Sequence, residues 1–148
     1  MDEKQFKEMI QFAIGREIDA INFYTQAKKM VKHSGTKELF SDLAKQEDGH
    51  KKKLERVLKG KVNVGKIEKV PNLKISDYMV DTELRPDVSY AEILRIAMKR
   101  EERSVKLYTD LKERNRDTTL NKLFIFLIQE ESKHKFRLEK IYDDEILK

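Results

Sequence analysis

Along this chain, apolar residues return at the three- and four-residue steps of a helix face in four separate stretches. The first stripe runs through Phe6, Ile10, Ala13, Ile14, Ile21, Tyr24 and Ala27, and the second through Leu39, Phe40, Leu43, Leu54 and Val57. Between them, Lys32-His33-Ser34-Gly35 predicts a helix stop with Gly35 as its C-terminal cap, and Gly60 is expected to end the second helix. A third stripe carries Leu94, Ala97, Met98, Val105, Tyr108 and Leu111. It opens at Ser89-Tyr90-Ala91-Glu92, whose Ser and Glu have the spacing of a capping box. The fourth, through Leu123, Phe124, Leu127, Ile128, Leu138 and Ile141, follows the break at Asn115 to Thr119.

Residues 60–88 lose this pattern: Gly65, Pro71 and Pro86 punctuate them, and the alternation at Val62, Val64 and Ile67 gives no helical face. The short breaks inside each half predict antiparallel neighbours, whereas this connection is long enough to run the ~35 Å length of a bundle. The expected architecture is all-α, a single domain over residues 1–148. Two helical hairpins, about 3–60 and 88–144, form a four-helix bundle joined by one long crossover. The same connection would also let two chains exchange hairpins, so a homodimer, helix-swapped or not, is an expected assembly.

Polar residues interrupt each stripe at corresponding places. Glu17, Glu47 and His50 recur as Glu101, Glu131 and His134, each 84 positions later without a gap. Arg16, Tyr24, Phe40, Leu43, Leu54 and Glu55 recur at the same offset as Arg100, Tyr108, Phe124, Leu127, Leu138 and Glu139. A lone buried carboxylate forfeits several kcal/mol of solvation unless it is compensated. Four glutamates facing one bundle centre call for positive charge, and two divalent cations balance them. Glu-x-x-His puts both donors on one helix face a turn apart, so each imidazole can hold one metal while its glutamate bridges or chelates. Glu17, Glu47, His50, Glu101, Glu131 and His134 are therefore the expected metal ligands, with Glu47 and Glu131 the bridging, catalytic pair. One such motif is weak in a chain this rich in glutamate; two at a single offset are specific.

The remaining candidates are weaker. Tyr24 and Tyr108 lie two turns beyond Glu17 and Glu101 on the same faces, where a phenol can hydrogen-bond a ligating carboxylate or simply fill the core. His33 has no histidine at its repeat position, which is Asp117, and is expected at a helix end, where a cation suits the dipole. Arg16 and Arg100, one residue off the stripe, are expected to pair with surface acids or the neighbouring helix.

Composition narrows the chemistry. There is no cysteine, which excludes disulfides, thiolate zinc and iron-sulfur centres, so a metal must be held by nitrogen and oxygen. Charged residues make up 40% of the chain, a profile shared by helical and thermophilic proteins. The net charge of +5 is spread among acidic residues rather than gathered, so no nucleic-acid partner is expected. The charged start and the lack of a long apolar run predict a cytoplasmic protein with no membrane partner.

These residues resemble the ferritin-like diiron carboxylate proteins, and among them the rubrerythrin-like branch, over nearly the whole chain. In that class two helices each give one Glu and two each give Glu-x-x-His. Glu17 and Glu101 match the single glutamates, and Glu47 with His50 and Glu131 with His134 match the paired motifs. Tyr24 and Tyr108 match tyrosines near those glutamates. The resemblance implies a pair of iron ions, with manganese or a mixed pair as alternatives, reacting with hydrogen peroxide or dioxygen in oxidative-stress protection. Classical rubrerythrins add a cysteine-ligated rubredoxin domain and a further glutamate after the third-helix ligand. Here that position is Ser104 and no cysteine exists, so electrons are expected from a separate donor protein. Ferrous iron oxidation and metal handling without cage storage is the alternative activity, and a non-enzymatic helical interaction module the third.

Overall fold

A computed structural model describes residues 3–60 and 83–147. Four helices account for most of them: α1 (Glu3–Met30), α2 (Ser34–Leu58), α3 (Tyr90–Arg114) and α4 (Thr118–Glu145). The expected hairpins are both present, α1 packing along α2 and α3 along α4, and α1 meets α3 across the bundle. Most of the crossover, including Val62, Val64, Gly65, Ile67 and Pro71, lies outside the described residues.

Apolar side chains gather into two clusters. One joins Phe23, Tyr24, Ala27, Phe40 and Leu43 of the first hairpin to Leu94, Ala97, Met98, Leu138 and Tyr142 of the second. The other joins Ile10, Ala13 and Leu54 to Tyr108, Leu111, Leu123, Phe124 and Leu127. The clusters are repeat mates: Tyr24, Phe40 and Leu43 stand in one where Tyr108, Phe124 and Leu127 stand in the other. Along every helix the candidate ligand residues fall between them. The order of clusters also fixes direction, since α2 and α3 both run from the first cluster to the second. The chain must therefore return the length of the bundle between them, which explains the long connection. Each fully buried Leu or Phe contributes about 1.5–3 kcal/mol, so the two clusters hold the bundle around a polar centre that would not form unaided.

The helix ends follow local chemistry. Ser89 and Glu92 form the expected capping box at the start of α3, and Gly60, at φ 79°, takes the left-handed conformation just past α2. The reading of Gly35 as a cap is corrected: α1 stops at Met30 and Gly35 lies in the first turn of α2. The Lys37 ammonium donates to the Lys28 carbonyl at 3.0 Å, so a side chain from α2 satisfies the end of α1. Gly35 instead makes room, since a Cβ there would stand 3.1 Å from the His33 ring. His33 does not belong to the C-terminal end of α1. It is the N-cap of α2, its Nδ1 accepting from the Thr36 amide at 3.3 Å. Asp117, at the same repeat position, caps α4 by accepting from the Leu120 amide at 2.9 Å. His33 thus has a counterpart in role, though not in residue type.

Candidate metal centre

Each candidate ligand reaches the bundle centre because it replaces an apolar residue in its helix's inward stripe. Glu17, Glu47, Glu101, Glu131 and His134 are at most 2% exposed, and His50 is 4% exposed. All six sequence-predicted ligands are thereby brought together. His50 Nδ1 lies 3.1 Å from Glu131, 3.2 Å from Glu47 and 3.6 Å from Glu17. His134 Nδ1 lies 3.3 Å from Glu47 and 3.4 Å from both Glu101 and Glu131. The two imidazoles stack, their centroids 5.8 Å apart.

Donor atoms within 4.8 Å of one another form two sets: Glu17, Glu47, His50 and Glu131, and then Glu47, Glu101, Glu131 and His134. Glu47 and Glu131 belong to both. Each set thus combines three carboxylates and one imidazole, a nitrogen and oxygen set suited to a divalent transition metal. The polar atoms themselves show the fit. Both oxygens of Glu47 and of Glu131, one of Glu101, and Nδ1 of both histidines are buried without a hydrogen-bond partner. Seven orphaned atoms aimed at one small volume would be an unusual defect in a native core, but they are the donor atoms a metal pair needs.

The carboxylates and imidazoles also shift one another's protonation. Burial first, and then the charges of Glu101 and Glu17, push the Glu47 carboxyl up from 4.5 to about 8. Burial and the charges of Glu101, Glu47 and Glu17 push Glu131 well up as well. For His50, burial opposes the charged form, yet Glu131, Glu17 and Glu47 outweigh it and raise its pKa. His134 moves the same way, burial again losing to Glu101 and Glu131.

The tyrosines cross between the halves. Tyr24 of α1 donates to Glu101 of α3, and Tyr108 of α3 donates to Glu17 of α1. Burial, followed by the adjacent carboxylate, raises both phenols, which keeps them neutral donors. Each bond holds the first-helix glutamate of the opposite hairpin; at Glu101 it leaves Oε2 for the centre, and at Glu17 the bonded Oε2 also faces His50 at 3.6 Å. Tyr24→Phe and Tyr108→Phe are each expected to destabilise the folded chain by about 1–3 kcal/mol, because a buried carboxylate loses its donor. Urea denaturation checks this, and the two losses should be similar, as the repeat requires. Arg100, expected to pair with an acid or a neighbouring helix, covers the Phe23 ring of α1 at 4.9 Å.

Gln46, one residue before Glu47, went unrecognised in the sequence. Its side-chain oxygen lies 2.7 Å from His134 Nε2, the ring nitrogen turned away from the centre. The only signal was its place one residue before Glu47.

A four-helix bundle with one long crossover and a buried Glu-x-x-His pair completed by two glutamates defines a ferritin-like carboxylate protein. The rubrerythrin family model matches residues 8–142, and the chain belongs to that family. Its structure is similar to that of "Hypothetical Protein Pfu-1136390-001 From Pyrococcus furiosus", at a TM-score of 0.71 and 25% identity, covering 93% of this chain and 88% of that one. No curated protein matches the chain. Among the described residues, no helix is long and apolar enough to cross a membrane.

Proposed function

We propose that this protein is a diiron carboxylate oxidoreductase that reduces hydrogen peroxide or dioxygen with electrons from a separate donor protein, in protection against oxidative stress. The observation that carries this reading is the pair of overlapping donor sets sharing Glu47 and Glu131. Two iron ions held there would supply two electrons together, which peroxide reduction to two waters requires along with two protons. The chain's own part is positional. Tyr24 and Tyr108 fix Glu101 and Glu17, the two apolar clusters flank the centre, and Glu47 and Glu131, common to both donor sets, would hold both ions. A cavity of about 410 Å³, lined by Gln46, Gly49, His50, Phe126 and His134 among others, reaches the histidine side from solvent.

Protein loaded anaerobically with two Fe²⁺ per chain and given a reduced electron-carrier protein should consume peroxide over many turnovers, with two electrons used per peroxide. Oxidation of added Fe²⁺ without sustained peroxide consumption would favour metal handling instead. Failure to take up iron or manganese would overturn the reading.

A further inference from the structure

The repeat is kept at all six ligands but broken around the outer edges of the two histidines. Positions 42, 46 and 137 hold Asp, Gln and Arg, while their repeat mates 126, 130 and 53 hold Phe, Glu and Lys. The two trios make different contacts. Gln46 donates from its side-chain nitrogen to Asp42 Oδ2 at 2.9 Å, and the Arg137 guanidinium donates to the same oxygen at 2.7 Å. With its nitrogen committed to a carboxylate, the Gln46 amide must turn its oxygen toward His134. A carbonyl oxygen can only accept, so His134 Nε2 carries a hydrogen, and Nδ1, facing Glu47, Glu101 and Glu131, is the nitrogen left to give up its proton to an incoming ion. On the other side, Lys53 sits over the Phe126 ring at 5.3 Å, and Glu130 is engaged by Lys133 at 3.2 Å and by Gln129 at 3.3 Å. No side chain among the described residues accepts a hydrogen bond from His50 Nε2.

We infer that Gln46, set by Asp42 and Arg137, is a positioning residue that makes the two metal subsites unequal. The subsite of Glu47, Glu101, Glu131 and His134 binds its ion more tightly and fills first. The physical basis is twofold. A ring already locked in the ligating tautomer and orientation loses less freedom on binding. An imidazole donating through its far nitrogen is also a more basic ligand through the near one. Among the described residues His50 has no such acceptor, although its carboxylate partners are the same in kind.

The inference rests on the dinuclear metal reading, and calorimetric titration of the metal-free protein with Co²⁺ separates the two. Wild type should bind two ions in two resolved steps. In Gln46→Leu the tighter step should weaken about ten- to a hundredfold while the weaker one holds, so that the steps converge. Circular dichroism of each metal-free variant controls for folding, and Gln46→Glu, which keeps an acceptor, should restore most of the gap. A spectroscopic signature assigns the site: with one equivalent of Co²⁺, wild type should show one dominant strongly shifted imidazole N–H proton resonance, slow to exchange with solvent, whereas in Gln46→Leu that resonance should exchange faster and share its intensity with a second one. Absence of any Co²⁺ binding would remove the metal reading itself. Two ions bound with equal affinity in wild type, or a tight step untouched by Gln46→Leu, would leave that reading standing and overturn this one.

Discussion

Glu131→Gln should reduce bound metal from two ions per chain to fewer than one, and should lower peroxide turnover by about a thousandfold or more, the scale of several kcal/mol of lost charge stabilisation. The reason is geometric. Glu131 lies within reach of both histidines, 3.1 Å from His50 and 3.4 Å from His134, and belongs to both donor sets. Glutamine keeps the volume but removes an anionic ligand from each position at once. The same substitution should raise the melting temperature of the metal-free protein at pH 8, because one of the mutually repelling carboxylates is gone. Glu55→Gln, at an exposed position, is the control and should change neither property. Metal analysis, turnover and melting curves of the two variants measure all of this; two ions retained by Glu131→Gln would contradict the arrangement.

Metal removal should have the second large effect, and its size should depend on pH. Two ions, each present at about a hundred times its dissociation constant, stabilise by roughly 5 kcal/mol together, which corresponds to a loss on the order of 10 °C when a chelator removes them. The metal-free protein should then melt lower as pH rises. Because Glu47 is raised from 4.5 to about 8 in the folded chain, folding retains a proton that the unfolded chain gives up. Its stabilisation is complete below about pH 4.5 and is lost as pH climbs through about 8. Glu131, His50 and His134 are raised too and act in the same direction. Asp42, lowered by its bond to Arg137, and Glu92, lowered by the Ser89 amide, act oppositely and lose their contribution only in acid. The metal-free optimum should therefore lie in mild acid, with a fall on the order of 5 °C or more toward pH 8. Differential scanning calorimetry across that range tests it, and a flat profile would count against the buried carboxylate cluster.

The bundle and its buried Glu and His cluster were legible in the sequence for one reason: a buried charge is expensive, so Glu and His inside an apolar stripe stand out. Their exact repetition then turned weak motifs into a specific one. What stayed hidden depended on contacts between elements. Tyr24 reaches the glutamate of the opposite hairpin rather than Glu17 of its own helix, which spacing along one helix cannot show. His33 follows one helix and precedes another, and only the fold shows that its imidazole serves the second, as an acceptor at the start of α2. Gly35 carries the ordinary signal of a stop, but Lys37 satisfies the end of α1 and the glycine serves the His33 ring. Glu139 and Glu55 show the limit of the repeat itself: they share an offset, yet Glu139 is buried beside Lys135 and Glu55 is exposed.

The crossed tyrosines and shared glutamates mean that one hairpin carries only half of what the centre needs. Two identical hairpins meeting about a two-fold axis could supply both halves, but every substitution in such a pair would occur twice. Carrying both halves on a single chain lifts that constraint. A change near one imidazole need not be mirrored at the other, and the sequence records that freedom where Asp42, Gln46 and Arg137 stand opposite Phe126, Glu130 and Lys53.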